Sequence, residues 1–264
     1  MNTISKQLQK IKAEQRLGLM THIVVGYPSL EESRKLVLAM AEAGADFIEL
    51  QIPFSDPVAD GPVLMQANQV ALERGATVGQ AMELMGELAP RVGIPLLFMT
   101  YFNIVHHYGV VKFCQDAANA GASGLIVPDM PLDEEPNEQF ISSSEEAGLT
   151  VIRLLSPASN ERRIKLNAGL AKDFIYFVSR KGTTGAQAEL DPELDGHLKL
   201  VKKFTDLPLA VGFGISSPAQ VRALKGVVEI AVVGSAAVSV YNEASGDKVE
   251  AVGESVKELI QQTW

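Results

Sequence analysis

The sequence predicts an α/β chain whose parallel strands close into a barrel, and three observations carry that expectation. Short apolar runs alternate with amphipathic helical segments from one end to the other, the alternation that builds parallel sheets. Eight such runs fit within 264 residues, a natural length for a (β/α)8 TIM barrel. No glycine-rich dinucleotide turn follows the first run, which weighs against an open doubly wound sheet. With no linker rich in proline, glycine or serine, residues 1–264 are expected to form a single barrel domain.

Taken in order, a polar amphipathic segment at 5–14 reads as an extra N-terminal helix outside the repeat. Candidate strands follow at 19–25, 46–52, 96–100, 124–127, 150–155, 174–178, 209–211 and 229–233. Helical periodicity covers 30–43, 79–89, 110–120, 135–147, 160–170, 192–204 and 218–224, with a last helix at 249–263. In the first of these, Leu36, Met40 and Ala43 share a face and Gly44 supplies the stop. The same punctuation recurs as AEAGAD at 41–46 and NAGASG at 119–124, each time just before a new strand. Right-handed crossovers gather the strand ends on one face, where the loops leading into helices form the site.

Composition narrows the function. Hydrophobic residues make up 47 % of the chain, enough for a core, yet no apolar run reaches the ~20 residues of a bilayer span. The polar N-terminal segment does not read as a signal peptide. A single cysteine, Cys114, excludes an internal disulfide and a cysteine zinc cluster and fits a cytoplasmic protein. A net charge of −9 argues against nucleic acid as the main partner. No grouping of His, Cys, Asp and Glu has metal-ligand spacing, so no metal is expected.

The most informative segment is FIELQIPFSDPVADGP, residues 47–62. Phe47, Ile48, Leu50 and Ile52 form a buried-strand pattern that Pro53 ends, because proline cannot donate to a sheet ladder. Glu49 lies inside that run, where a charge is costly unless it is satisfied or used. Pro53, Pro57 and Pro62 stiffen the loop that follows, and Gly61 allows a turn. Asp56 and Asp60 therefore sit on a stiff loop close to Glu49, either as turn and helix caps or as chemical groups. Tyr176, near the end of the sixth strand, precedes a polar loop at 179–191 that has the character of a mobile lid. GFGIS at 212–216 and VVGSA at 232–236 follow the seventh and eighth strands. Glycines there serve tight turns or let an anion approach helix N-termini, and phosphate at these two loops is a recurring barrel arrangement. His106 and His107 read as an exposed polar stretch before a helix.

Together these residues resemble the alpha subunit of tryptophan synthase. The resemblance rests first on Glu49-Leu50, Ile52 to Pro57 and Ala59 to Pro62. It is supported by Gly26, Pro28, Pro128-Asp129, Pro131, Ser179-Arg180, Gly182, Thr184-Gly185, GFGIS and Gly234-Ser235, and it covers essentially the whole chain. It implies cleavage of indole-3-glycerol phosphate to indole and glyceraldehyde 3-phosphate. It also implies an αββα assembly with a beta subunit that holds pyridoxal phosphate, this chain carrying no cofactor itself. Glu49 would be the general acid/base, and Asp60 would accept the indole N–H and stabilise charge on the ring. Tyr176 would line the pocket, Thr184 would support Asp60 from the lid, and Tyr101, Val127, Phe213 and Val232 would wall the indole. Gly185, Gly214, Gly234 and Ser235 would hold the phosphate, mainly through backbone N–H groups. Contact with the beta subunit is expected at 53–62 and 103–108.

Three positions depart from the family pattern. Gln51 replaces a usual glycine, with the same strand parity as Glu49, so it would hydrogen-bond Glu49 or crowd the pocket. His22 replaces an aromatic residue that touches the indole; it can still stack but is titratable. Tyr27 replaces a frequent acid. Two competing readings follow: an alpha chain that activates its partner while cleaving poorly, and another phosphate-binding barrel enzyme.

Overall fold

The computed structural model describes residues 2–178, 192–212 and 214–264. Its first elements are α1 (Thr3–Ala13), β1 (Gly18–Val24), α2 (Leu30–Glu42), β2 (Phe47–Gln51), α3 (Pro62–Glu73), α4 (Val78–Val92) and β3 (Leu96–Met99). Next come α5 (Phe102–Tyr108), α6 (Val110–Asn119), β4 (Gly124–Ile126), α7 (Glu135–Glu138), α8 (Phe140–Glu146) and β5 (Thr150–Leu155). The chain continues with α9 (Glu161–Leu170), β6 (Ile175–Val178), α10 (Pro192–Lys202), β7 (Leu209–Gly212) and α11 (Pro218–Ala223). It closes with β8 (Ile230–Val233), α12 (Ser235–Glu243) and α13 (Lys248–Gln261). Each strand pairs in parallel with the next and β8 returns to β1, giving the closed eight-stranded barrel expected from the alternation.

Strand parity sorts the side chains into two layers. Ile48, Leu50 and Ile52 point outward into the core shared with the helices. Met20, Phe47, Leu97, Ile126, Ile152, Phe174, Ala210 and Ile230 fill the barrel interior. Pairing of Met20 with Phe47 and His22 with Glu49 carries the inward parity up β1 and β2, so His22, Glu49 and Gln51 arrive above that apolar floor.

The extra helix is more than an addition around the barrel. Ile4, Leu8 and Ile11 of α1 pack into the interior cluster and plug its lower end. A Cβ at position 124 would lie 2.6 Å from the Thr150 carbonyl oxygen and 3.2 Å from Ile4, so only glycine lets α1 seat there. Asp46, buried just before β2, fixes the chain leaving α1. It takes both Arg16 amino groups at 2.6 Å and the Leu19 N–H at 2.9 Å.

Four features depart from the expected element pattern. Helix α3 begins at Gly61-Pro62, where proline at the first helical position is a start signal rather than only a turn. The 103–108 stretch is helical, begun by Asp129 accepting the Phe102 N–H at 2.8 Å; His106 and His107 are exposed on it. The helix expected at 135–147 is broken at Gln139 (φ 53°), because the Glu135 carboxylate caps α8 through the N–H groups of Ile141 and Ser142. Residues 235–243 form a separate helix, α12, ahead of the last one.

Candidate active site

The upper end of the barrel holds a continuous polar bridge. Glu49 (3 % exposed) accepts from His22 Nδ1 at 2.8 Å through Oε2, and the other edge of the imidazole, Nε2, reaches Gln51 Oε1 at 2.9 Å. Gln51 Nε2 donates onward to Asp60 Oδ2 at 2.6 Å. Asn68 on α3 donates to the same oxygen at 3.3 Å, and its own carbonyl accepts the Phe54 N–H at 2.9 Å. An ionised carboxylate only accepts, so Asp60 must face the Gln51 NH2 and turn the Gln51 carbonyl towards His22. Both imidazole nitrogens then donate. With Asp60 ionised, the bridge is an imidazolium held between the Glu49 carboxylate and the Gln51 carbonyl.

The direction of the His22 shift fits a protonated ring, while burial of Asp60 works against its charge. Burial, the largest influence on His22, opposes its charge, but the hydrogen bond and charge of Glu49, the charge of Asp60 and the Gln51 contact raise its pKa above the usual value. Burial pushes the Asp60 carboxyl up, partly offset by Gln51, His22, Tyr101 and Asn68. Tyr176 stays a phenol: burial and the nearby charges of Glu49 and Asp60 push its pKa well above the ordinary range. Its hydroxyl needs Gly212, since a Cβ there would lie 2.5 Å from it.

The loop that carries Asp60 is held from inside the barrel mouth. Tyr101, fully buried, accepts the Ala59 N–H at 3.1 Å and stacks on Phe54 with ring centroids 5.1 Å apart. Asp56 is exposed, and Val58 at the tip is 81 % exposed.

The other candidates divide. Tyr101, Val232 and Tyr176 lie in the interior cluster with Phe54 and Ala59. Val127 does not: one residue past Ile126, it has the opposite parity and packs in the outer core, so the structure moves it away from the barrel interior. Gly234 lies beside His22 and precedes Ser235, the first residue of α12, whose opening turn presents amides without intrahelical partners. Gly214 has a left-handed φ of 81°, which favours glycine. Thr184, Gly185, Phe213 and the 179–191 loop lie outside the described residues. Gln51 meets His22 and Asp60 rather than Glu49. Asn68 was not a candidate from sequence; nothing local distinguishes it from any helical asparagine, and only the helix start at Gly61-Pro62 signals α3 at all.

Glu49 Oε1 is buried and has no hydrogen-bond partner among the described residues, so this acid keeps one oxygen free to exchange a proton with a ligand. Acid–base chemistry at the mouth of a parallel barrel is what the fold and this geometry define. No group of three or more His, Cys, Asp or Glu that could hold a metal occurs among the described residues. The family described as tryptophan synthase alpha chain matches residues 8–263. A tryptophan synthase alpha chain from Desulfotalea psychrophila is 45 % identical, over 97 % of this chain and 99 % of its own length. One from Syntrophotalea carbinolica is 43 % identical, over 93 % and 96 %. Among solved structures, the tryptophan synthase alpha subunit of Legionella pneumophila superposes with a TM-score of 0.90 at 31 % identity, covering 100 % of this chain and 98 % of that one. The chain belongs to the tryptophan synthase alpha chain family. It is a lyase of tryptophan biosynthesis that cleaves indole-3-glycerol phosphate to indole and glyceraldehyde 3-phosphate.

Proposed function

We propose that Glu49 and Asp60 carry out this cleavage at the barrel mouth. The observation that carries the assignment is a buried acid, Glu49, joined through His22 and Gln51 to the half-buried Asp60, with one Glu49 oxygen left without a partner among the described residues. The reaction must protonate indole C3, remove the proton of the adjacent glycerol hydroxyl, and break the carbon–carbon bond as the aldehyde forms. Glu49 delivers and removes these protons as general acid and base. Asp60 accepts the indole N–H and offsets the positive charge that C3 protonation places on the ring. Tyr101, Val232 and Tyr176 flank the indole with His22 beside them; Phe213 would complete the wall and Thr184 would support Asp60, as the family resemblance implies. Gly185, Gly214, Gly234 and Ser235 receive the phosphate, a role that the helix start at Ser235 supports.

The chain works as one barrel domain in the cytoplasm with a tryptophan synthase beta subunit, in an αββα assembly whose pyridoxal phosphate sits in the beta partner. The exposed apolar Val58 on the 53–62 loop and Met65 on α3 just after it, with helix α5, support a partner surface there. Among the described residues no helix is long and apolar enough to cross a membrane.

Indole release from indole-3-glycerol phosphate, with and without the beta subunit, tests the assignment alongside Glu49→Gln. Cleavage that depends on Glu49 and rises with the partner is expected. No release from a folded chain that still binds its partner would overturn it in favour of an activating subunit.

A further inference from the structure

A second polar cavity, of about 240 Å³, lies outside the barrel wall between the segment after β4, strand β5 and helix α9. Three arginines line it: Arg153, Arg162 and Arg163. Arg153 has outward parity on β5 and is only 6 % exposed. Its Nε donates to Asn167 Oδ1 at 3.0 Å, and Asn167 is anchored in turn on the Arg163 carbonyl at 2.9 Å. Among the described residues none of the three arginines forms an ion pair, whereas Arg16, Arg34 and Arg91 each hold a carboxylate. Glu135 acts on Arg153 only through its charge and Asp133 only lines the cavity; neither forms an ion pair there among the described residues. Glu135 is committed to the N–H groups of Ile141 and Ser142.

A buried guanidinium without a counter-ion is expensive, and more so with a second arginine close by. Burial, reinforced by the charge of Arg163 and opposed by that of Glu135, pushes Arg153 down to about 10. A chain with nine more acids than bases does not lack carboxylates to pair with it. We propose that this cavity is an oxyanion-binding site, in which Arg153, Arg162 and Arg163 hold the phosphate or carboxylate of a small metabolite. The planar guanidinium fork fits either group. The amide end of α9, which starts at Glu161 beside the cavity, adds positive potential. Val127, Pro128, Leu132 and Leu166 provide an apolar wall for a short carbon chain. The volume is below the roughly 300 Å³ at which drug-sized pockets begin, which limits the ligand to a small one. The site is separate from the Glu49 pocket and stands whether or not the catalytic assignment holds.

Calorimetric titration with inorganic phosphate, and separately with succinate, tests it on the wild-type chain and on the double variant Arg162→Ala/Arg163→Ala. Both substituted residues are exposed, so the double variant keeps the fold. A binding event that the double variant weakens at least tenfold, while its indole release is unchanged, is the expected result. Arg153→Met should abolish the same event. Loss of binding to both anions identifies a general oxyanion site, and loss of phosphate binding alone identifies a phosphate site. If every binding event survives the double variant unchanged, the assignment is overturned, whatever phosphate does at the barrel mouth.

Discussion

Exchanging Glu49 for Gln changes one charge in the bridge and leaves its shape, so its effect on His22 measures what the carboxylate does there. The amide oxygen can still accept from His22 Nδ1 at the site of the present 2.8 Å contact. What disappears is the charge. A hydrogen bond to a charged group contributes about 1.5–3 kcal/mol against about 1 for a neutral one. With His22 only 4 % exposed, solvent screens little of the accompanying Coulomb attraction, so a loss of at least about 1.4 kcal/mol, tenfold in the protonation equilibrium, is expected. Burial is then no longer outweighed, and the shift of His22 reverses from upward to downward. The sign carries over to stability. With a raised folded pKa, the contribution of His22 is complete below its unfolded value of about 6.5 and is lost as pH rises through the folded value. NMR titration of the four histidines reads this directly, with His22→Phe identifying the resonance by its loss. If His22 titrates at the same pH in the wild type and in Glu49→Gln, the imidazolium bridge is wrong.

Other substitutions probe the same framework. Gln51→Ala removes the donor that holds the Asp60 carboxyl down against burial, so the acid limb of the cleavage profile should move to higher pH; an unmoved limb would refute the link. Asp60→Asn should cost roughly 2–4 kcal/mol of transition-state stabilisation, read from kcat/KM, and unchanged turnover would remove its proposed role. Tyr101→Phe orphans the Ala59 N–H and should lower stability by about 1 kcal/mol in urea unfolding, with a higher KM as the Asp60 loop loosens. Arg16→Leu strands the buried Asp46 and should cost about 3–5 kcal/mol, a structural loss that thermal unfolding would show with or without substrate.

The alternation of apolar runs and helical segments made the barrel legible, because strand and helix periods differ and glycine marks the joins. That Glu49 and Gln51 share a face was legible too, but not which face turns inward, because both faces of the strand are buried. What escaped were relations between distant elements. His22 and Glu49 are 27 positions apart in sequence, and only the β1–β2 register places them side by side. Position 22 could be read as an aromatic wall because composition does not say which edge of a ring is occupied. Val127 was misplaced because the alternation was not applied to it: Ile126 takes the inward position on β4, so its neighbour faces the outer core. Arg153 gave no local signal either, since an arginine within an apolar run resembles any strand-edge charge until its surroundings are seen.

The seat of α1 has a consequence for how the chain is made. Asn2 is bonded to Thr150 and Asp173, the latter 171 positions later, and Ile4 and Ile11 enter an interior that exists only once the strands have closed. During synthesis at about 5–20 residues per second, this helix therefore waits on the order of ten to thirty seconds for its partners to emerge. Throughout that interval Ile4, Leu8 and Ile11 have nowhere to go. This helix is synthesised before every strand of the barrel yet is among the last elements to be buried, and a ribosome-bound chaperone would find it uncovered throughout the wait.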